Sequence, residues 1–348
     1  MDTRTTTPGT AADPTSAAPC GGRRALRFIG VALAGLLFFG VVVEAGLAAR
    51  DERAHPAPGE LVELADGRHL HVDVTTRGTD GPTIVLEAGA GIPSSLWRPT
   101  VDALLETIDG PVTVVAYDRA GSAWSGPVGR APTPEVVVDD LREALALQRL
   151  QGPYVLVGHS IGGHYVRTFA ATHADEVAGA VLVDPRHEDA ATRLPELGEA
   201  QAQTTRMLRW GVRLRPFGIT RLVHQPSAQL PADIADQVYA LELHRHHLRG
   251  SLALGETLDR IDAHVARHGT DLGDVPVRIV SAGHIPDDDP LARDLADILD
   301  ELHRELRSLS TDGTRHVIAD ADHLSIVTDP THARELATHI ADLLDTAR

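Results

Sequence analysis

The chain has 348 residues, 43% of them hydrophobic and 23% charged, enough to bury one large α/β core or two small ones. Its net charge is −17 and it contains no lysine, which argues against nucleic acid or an anionic membrane surface as partner of the folded part. A single cysteine, Cys20, excludes an intramolecular disulfide and carries no information about redox compartment.

Residues 1–24, rich in Thr, Ala, Pro and Gly, lack apolar periodicity and read as a disordered tail. Arg23, Arg24 and Arg27 lead into residues 28–43, a run of 16 without a charge, so residues 25–49 are expected to form a hydrophobic helix if Glu44 lies at the membrane interface. That length falls between a signal-peptide core and a spanning helix and favours a single-pass anchor. The basic flank on the N-terminal side keeps the tail in the cytoplasm and puts everything after Arg50 outside. A cleaved signal peptide, which would make the protein secreted, and a buried core helix are the alternatives.

Residues 50–58, with two prolines and mixed charge, read as a linker, and 59–348 as the folded domain. Alternating residues on either side of Asp66-Gly67 predict a β-hairpin over 61–74. Continuous apolar runs at 84–86, 112–116, 154–157, 180–183 and 277–280 suit strands covered on both faces of a parallel sheet. Helical patterns at 100–108, 134–150 and 163–173 fall between them, and a weak strand at 315–318 and a helix at 330–346 close the chain. The fold class is therefore α/β, with a mostly parallel sheet covered by helices on both faces. Residues 187–269 break the rhythm: helical spacing at 199–214, 231–249 and 252–268, with no strand candidate, predicts an all-helical cap.

The stretch 154–165 carries the chemistry. An apolar strand meets Gly158-His159-Ser160-Ile161-Gly162 and passes into a helical pattern, the arrangement of a nucleophile elbow with Ser160 on a tight strand-to-helix turn. A serine hydroxyl needs a general base, and the base a third group to orient it. His323, just past the last strand, follows the serine in the Ser…Asp…His order of one hydrolase fold.

From residue 59 to the end the chain resembles the α/β-hydrolase superfamily, of the fold-1 type with a helical cap. The resemblance rests on residues 86–91 with Trp97, on 117–125, on the 158–162 elbow, on 181–185 and on 321–323. The position where such proteins usually carry His-Gly reads Ala88-Gly89 here. The resemblance implies an oxyanion hole from the backbone N–H groups of Ile161 and Ala90. It offers two positions for the acid: Asp184, after the strand that follows the nucleophile helix, and Asp287, after the next strand. The usual Gly-x-x-Asp spacing fails at Pro286, so Asp184 is preferred and Asp287 is the alternative.

These residues imply a carboxylesterase-like serine hydrolase acting on a small ester-like molecule, with neither cofactor nor metal. Hydrolysis of a carbon–carbon bond, cofactor-free haloperoxidase chemistry, and a non-catalytic binding module of the same fold are the alternatives. Asp118 and Arg119 are expected to form a structural turn and ion pair below the site; Trp97 and Trp124 are core or pocket residues. His244 and His247 share a helix face, yet no carboxylate pair accompanies them and arginines flank them, so a metal is not expected.

Overall fold

A computed structural model describes Gly9, residues 20–284 and residues 290–346. The apolar runs form strands β1 (Glu60–Glu63), β2 (His69–Arg77), β3 (Thr83–Glu87), β4 (Val112–Asp118), β5 (Tyr154–His159), β6 (Val177–Val183), β7 (Val277–Ala282) and β8 (Gly313–Ile318). They make one sheet in the order β1-β2-β4-β3-β5-β6-β7-β8. β1 and β2 pair antiparallel, β2 runs antiparallel to β4, and all other pairs are parallel. The expected hairpin therefore opens a mostly parallel sheet.

Before the sheet lies α1 (Cys20–Ala54), and within it α2 (Arg98–Thr107), α3 (Pro134–Leu147) and α4 (Gly162–Thr172). Successive strand residues point to opposite faces, so each strand feeds two cores. Ile84, Leu86, Val155 and Val157 pack on one side with Val101 and Leu104 of α2. Val85 and Leu156 pack on the other with Leu141 and Leu145 of α3 and Val166 and Phe169 of α4. The central parallel strands β3 and β5 are buried throughout and β6 at all but one residue, which is why they read as unbroken apolar runs, while the edge strand β8 is mostly half-buried and reads weakly.

Between β6 and β7 every described element is helical: α5 (Ala190–Arg193), α6 (Pro195–Leu214), a 3-10 turn (Arg215–Phe217), α7 (Ile219–Val223), α8 (Ala232–Glu242) and α9 (Arg245–His268). The chain closes with α10 (Pro290–Glu305), α11 (Ser325–Thr328) and α12 (Pro330–Thr346). The helix break expected near residue 250 falls instead at His244, whose extended backbone (φ −63°, ψ 139°) caps α9. Gly250 stays helical because its bare Cα lies against the Gly121 backbone.

Helix α1 also departs from expectation. It begins at Cys20 and continues through Ala54, into the stretch read as a linker, because residues 48–54 are mostly strong helix formers and no breaker precedes Pro56. Its segment Leu26–Ala54 is long and apolar enough to cross a membrane. Glu44 is buried between Arg221 (3.1 Å) and Arg215 (3.5 Å) of the cap.

Gly250 decides between two opposing effects. Gly→Ala inside a helix ordinarily gains about 1 kcal/mol, but here a Cβ would overlap the Gly121 carbonyl, carbon and Cα, all backbone atoms. Gly250→Ala is expected to lower the thermal midpoint of the full chain in detergent; a raised midpoint contradicts this packing.

Candidate active site

The elbow forms where β5 turns into α4. Ser160 sits at φ +55°, a left-handed conformation that costs a non-glycine residue about 1–3 kcal/mol. The turn is held open by absent side chains: a Cβ on Gly158 would lie 2.6 Å from the Gly162 carbonyl, and one on Gly162 would lie 2.5 Å from the Glu87 carbonyl. Only glycine permits α4 to start against the ends of β3 and β5. The Ser160 N–H donates to the Val183 carbonyl, and its own carbonyl accepts from Gly163 and Arg186, each at 3.0 Å.

Arg186 lies two residues beyond Asp184, so this bonding ties the elbow to the loop after β6. Asp184 is itself at φ +39° and is positioned by its N–H donating to the Val280 carbonyl at 2.7 Å. Its Oδ1 accepts from the Ala282 N–H at 3.0 Å, and its Oδ2 accepts from Nδ1 of His323 at 2.6 Å. Burial alone would raise the Asp184 pKa; the hydrogen bond and charge of His323, with His303 nearby, bring it down to about 2. His323 moves the other way. Burial disfavours its charge, but the Asp184 hydrogen bond and charge, with Asp322 beside it, hold it above its ordinary value. Its side chain is 57% exposed, so the carboxylate contact outweighs the burial cost.

His323 rides on a turn fixed by Asp322, whose Oδ1 accepts from the N–H groups of Leu324 (2.9 Å) and Ser325 (2.8 Å). Its carbonyl accepts from Nε2 of His159 at 2.7 Å, and the two rings lie 4.6 Å apart. His159 is fully buried, and burial first, then the charge of His323, lowers its pKa to about 3. Its hydrogen bond ties the elbow to the turn that carries His323. Its place beside the serine was the only sequence signal for it.

Ile161 is the N-cap of α4, and its side chain is buried with Tyr165, Val137 and Ile261 under the cap. Ala90 lies exposed in the turn after β3, ahead of Gly91 at φ +68°. Arg119 braces this turn: its guanidinium donates to the Ala88 carbonyl (2.5 Å) and the Gly89 carbonyl (2.7 Å), while pairing with buried Glu87. The Tyr117 hydroxyl also donates to Glu87. The expected Asp118–Arg119 pair is therefore divided. Asp118 instead accepts from His71 Nδ1 (2.9 Å) and from the Ser94 N–H (2.7 Å), fixing where the turn rejoins the fold.

Asp287 lies outside the described residues. Trp97 is buried edge-on to His159, and Trp124 donates its indole N–H to the His55 carbonyl at 2.9 Å. His244 meets Glu52 at 3.3 Å, whereas His247 is buried and accepts from the Ala123 N–H at 3.0 Å. The two histidines serve separate contacts.

A model of the alpha/beta hydrolase family matches residues 84–337. Over 190 residues the chain is 32% identical to an uncharacterised protein of Schizosaccharomyces pombe, covering 48% of this chain and 34% of that protein. Over 139 residues it is 35% identical to an uncharacterised protein of Bacillus subtilis, covering 39% and 53% respectively. The matched stretches thus span between a third and about half of these relatives. Among solved structures, an enol-lactonase from Burkholderia xenovorans superposes with a TM-score of 0.59 at 20% identity, over 82% of this chain and 100% of that one. A bacterial membrane phospholipase A superposes with a TM-score of 0.56 at 18% identity, over 94% and 98%. Both show likeness of fold. The family match begins in β3 and ends in α12, taking in every strand and loop that carries the site, and so the chain belongs to the alpha/beta hydrolase family.

Proposed function

We propose that the chain is a serine hydrolase cleaving an ester-like bond, with Ser160 as nucleophile, His323 as base and Asp184 as acid. The observation that carries this reading is the 2.6 Å contact from His323 Nδ1 to Asp184, which stands on the loop whose Arg186 N–H donates to the Ser160 carbonyl. A carboxylate on Nδ1 places the proton there, so Nε2 is the nitrogen left to take the serine proton. Ser160 Oγ then attacks the carbonyl carbon. The oxyanion is received by the N–H groups of Ile161 and Ala90, His323 protonates the leaving group, and water repeats the sequence on the acyl-enzyme. Bracing by Arg119 keeps the Ala90 turn preorganised for that charge.

Substrate preference follows from the cap. Leu230, Ala235 and Val238 bury against Leu96, Ile92 and Leu324, and the last of these adjoins His323. An apolar wall beside the base favours a small substrate with a hydrophobic acyl or alkyl group. The same reading makes α1 a membrane anchor, with the N-terminal arginines cytoplasmic and the hydrolase domain on the far side.

On a p-nitrophenyl ester chain-length series, Ser160→Ala is expected to lose at least about 10⁴-fold in kcat. Activity unchanged in that variant would sink the mechanism. Asp184→Asn should lose roughly 10³- to 10⁴-fold while Asp287→Asn stays within a few-fold, because only the partner of Nδ1 sets the tautomer; the reverse result moves the acid to Asp287.

The pH dependence has a definite sign. The base works only when neutral, and Asp184 holds His323 above its ordinary pKa, so kcat/KM should rise through an acid limb lying above about 6.5. In Asp184→Asn the residual activity should show that limb at lower pH. A limb in the same place in both proteins would mean that Asp184 does not act on the base.

A further inference from the structure

One side of α1 is turned toward the protein. Leu37, Gly40, Glu44, Leu47 and Asp51, spaced three or four apart, leave full exposure along that face, as do the neighbouring Ala48 and Ala49. The helix packs on α8 and on the 3-10 turn between α6 and α7. At Gly40 the approach is close: a Cβ there would lie 2.5 Å from the Phe217 carbonyl. One turn further on, Glu44 engages Arg215 and Arg221, and Arg221 also reaches Asp51 at 2.8 Å.

This fixes a depth. A span of about 20 residues starting at Phe28, just past Arg27, ends near Leu47, so Gly40 lies about 10 Å inside that boundary at 1.5 Å per residue. The Phe217 turn that touches Gly40 is carried to the same level. Amphipathic elements docked at an interface sit about 5–10 Å into the headgroup and acyl boundary. The adjoining surface suits such a position. Leu222 and Val223 of α7 are 79% and 75% exposed, and Met207 and Trp210 of α6 are also exposed. The Thr220 hydroxyl donates to the Gly211 carbonyl at 2.8 Å, joining the two groups, and Arg213 stacks over the Trp210 ring.

We infer that the cap edge formed by the end of α6, the Phe217 turn and α7 docks into the bilayer surrounding α1. The inference rests on α1 being a membrane anchor. Its driving force is apolar burial of Leu222, Val223, Trp210 and Met207, which a net charge of −17 does not oppose on a zwitterionic surface. Glu44 keeps the cap there: parting from both arginines would leave an unpaired carboxylate near the outer end of the span. The cap thereby lies on the membrane, and an apolar ester dissolved in the lipid has a short path to it.

The test uses full-length protein in phosphatidylcholine vesicles, with Cys20→Ser and one new cysteine at a time carrying an environment-sensitive fluorophore: Leu33→Cys, Leu222→Cys, Val223→Cys or Asp109→Cys. Leu33 lies in the span; Asp109 enters β4 at the end of the sheet away from the elbow. Lipids spin-labelled near the headgroup should quench roughly half of the Leu222 and Val223 signals, as expected of groups a few ångströms below the surface. Deep-labelled lipids should quench Leu33, and neither should quench Asp109. An unquenched Leu33 overturns the anchor and the docking surface together. A quenched Leu33 with Leu222 and Val223 no more quenched than Asp109 overturns the docking surface alone. Shielding of Leu222 and Val223 from aqueous iodide without lipid quenching also overturns it, and assigns the patch to a protein partner.

Discussion

The tight passage from β5 into α4 is the constraint on which the site depends. Helix α4 must begin within contact of the Glu87 carbonyl at the end of β3, which leaves no room for side chains at Gly158 or Gly162 and forces Ser160 to positive φ. The strain is borne by a sheet buried on both faces, through the Ser160 N–H bond to Val183. His159 and Val183 are register partners in adjacent strands, so the elbow and the Asp184 loop emerge side by side. Asp184 is likewise at positive φ, and the two strained residues share one hydrogen-bonded corner.

Arginine then connects that corner to its surroundings. The Arg186 N–H binds the Ser160 carbonyl, while its guanidinium forks onto Asp262 of α9 at 2.6 and 2.8 Å. Asp262 also accepts from His164 of α4 at 3.1 Å. Cap and elbow are thus joined through one carboxylate. Burial opposes ionisation of Asp262, but its hydrogen bonds to Arg186 and His164 prevail and lower its pKa. The same design recurs at Arg119 with Glu87, at Arg167 with Glu188 and at Glu44 with Arg215 and Arg221. At these sites a chain without lysine uses the planar guanidinium to give a buried carboxylate several donors, whereas Asp118 and Asp184 are held by histidine and backbone N–H groups.

Much of this was legible in the residues. The elbow pentapeptide between an apolar strand and a helical pattern located the turn, because glycine at both flanks has a local steric cause. The strands could be read because burial on both faces leaves unbroken apolar runs. Other features were hidden. His159 drew no reading of its own, since its hydrogen-bond partner is a carbonyl 164 residues away. Arg119 seemed destined for its neighbour Asp118, yet the strand end separates them and sends each to a different partner. The break in the cap helices was misplaced because Gly250 reads as a breaker; its purpose is contact with Gly121.

Glu44 is the clearest division between the two kinds of information. By itself the sequence determined an α/β domain, a serine on an elbow, a histidine after the last strand, a helical cap and a long apolar helix. Each follows from local sterics or hydrophobic period, which neighbouring residues suffice to specify. Only the tertiary structure brought His323 to Asp184, set Arg119 beneath the Ala90 turn, and buried Glu44 against Arg215 and Arg221. Those are contacts between charged or polar groups far apart in the chain. Their partners are chosen by which side chains the packed sheet and cap place within hydrogen-bonding reach, and no local pattern records that choice.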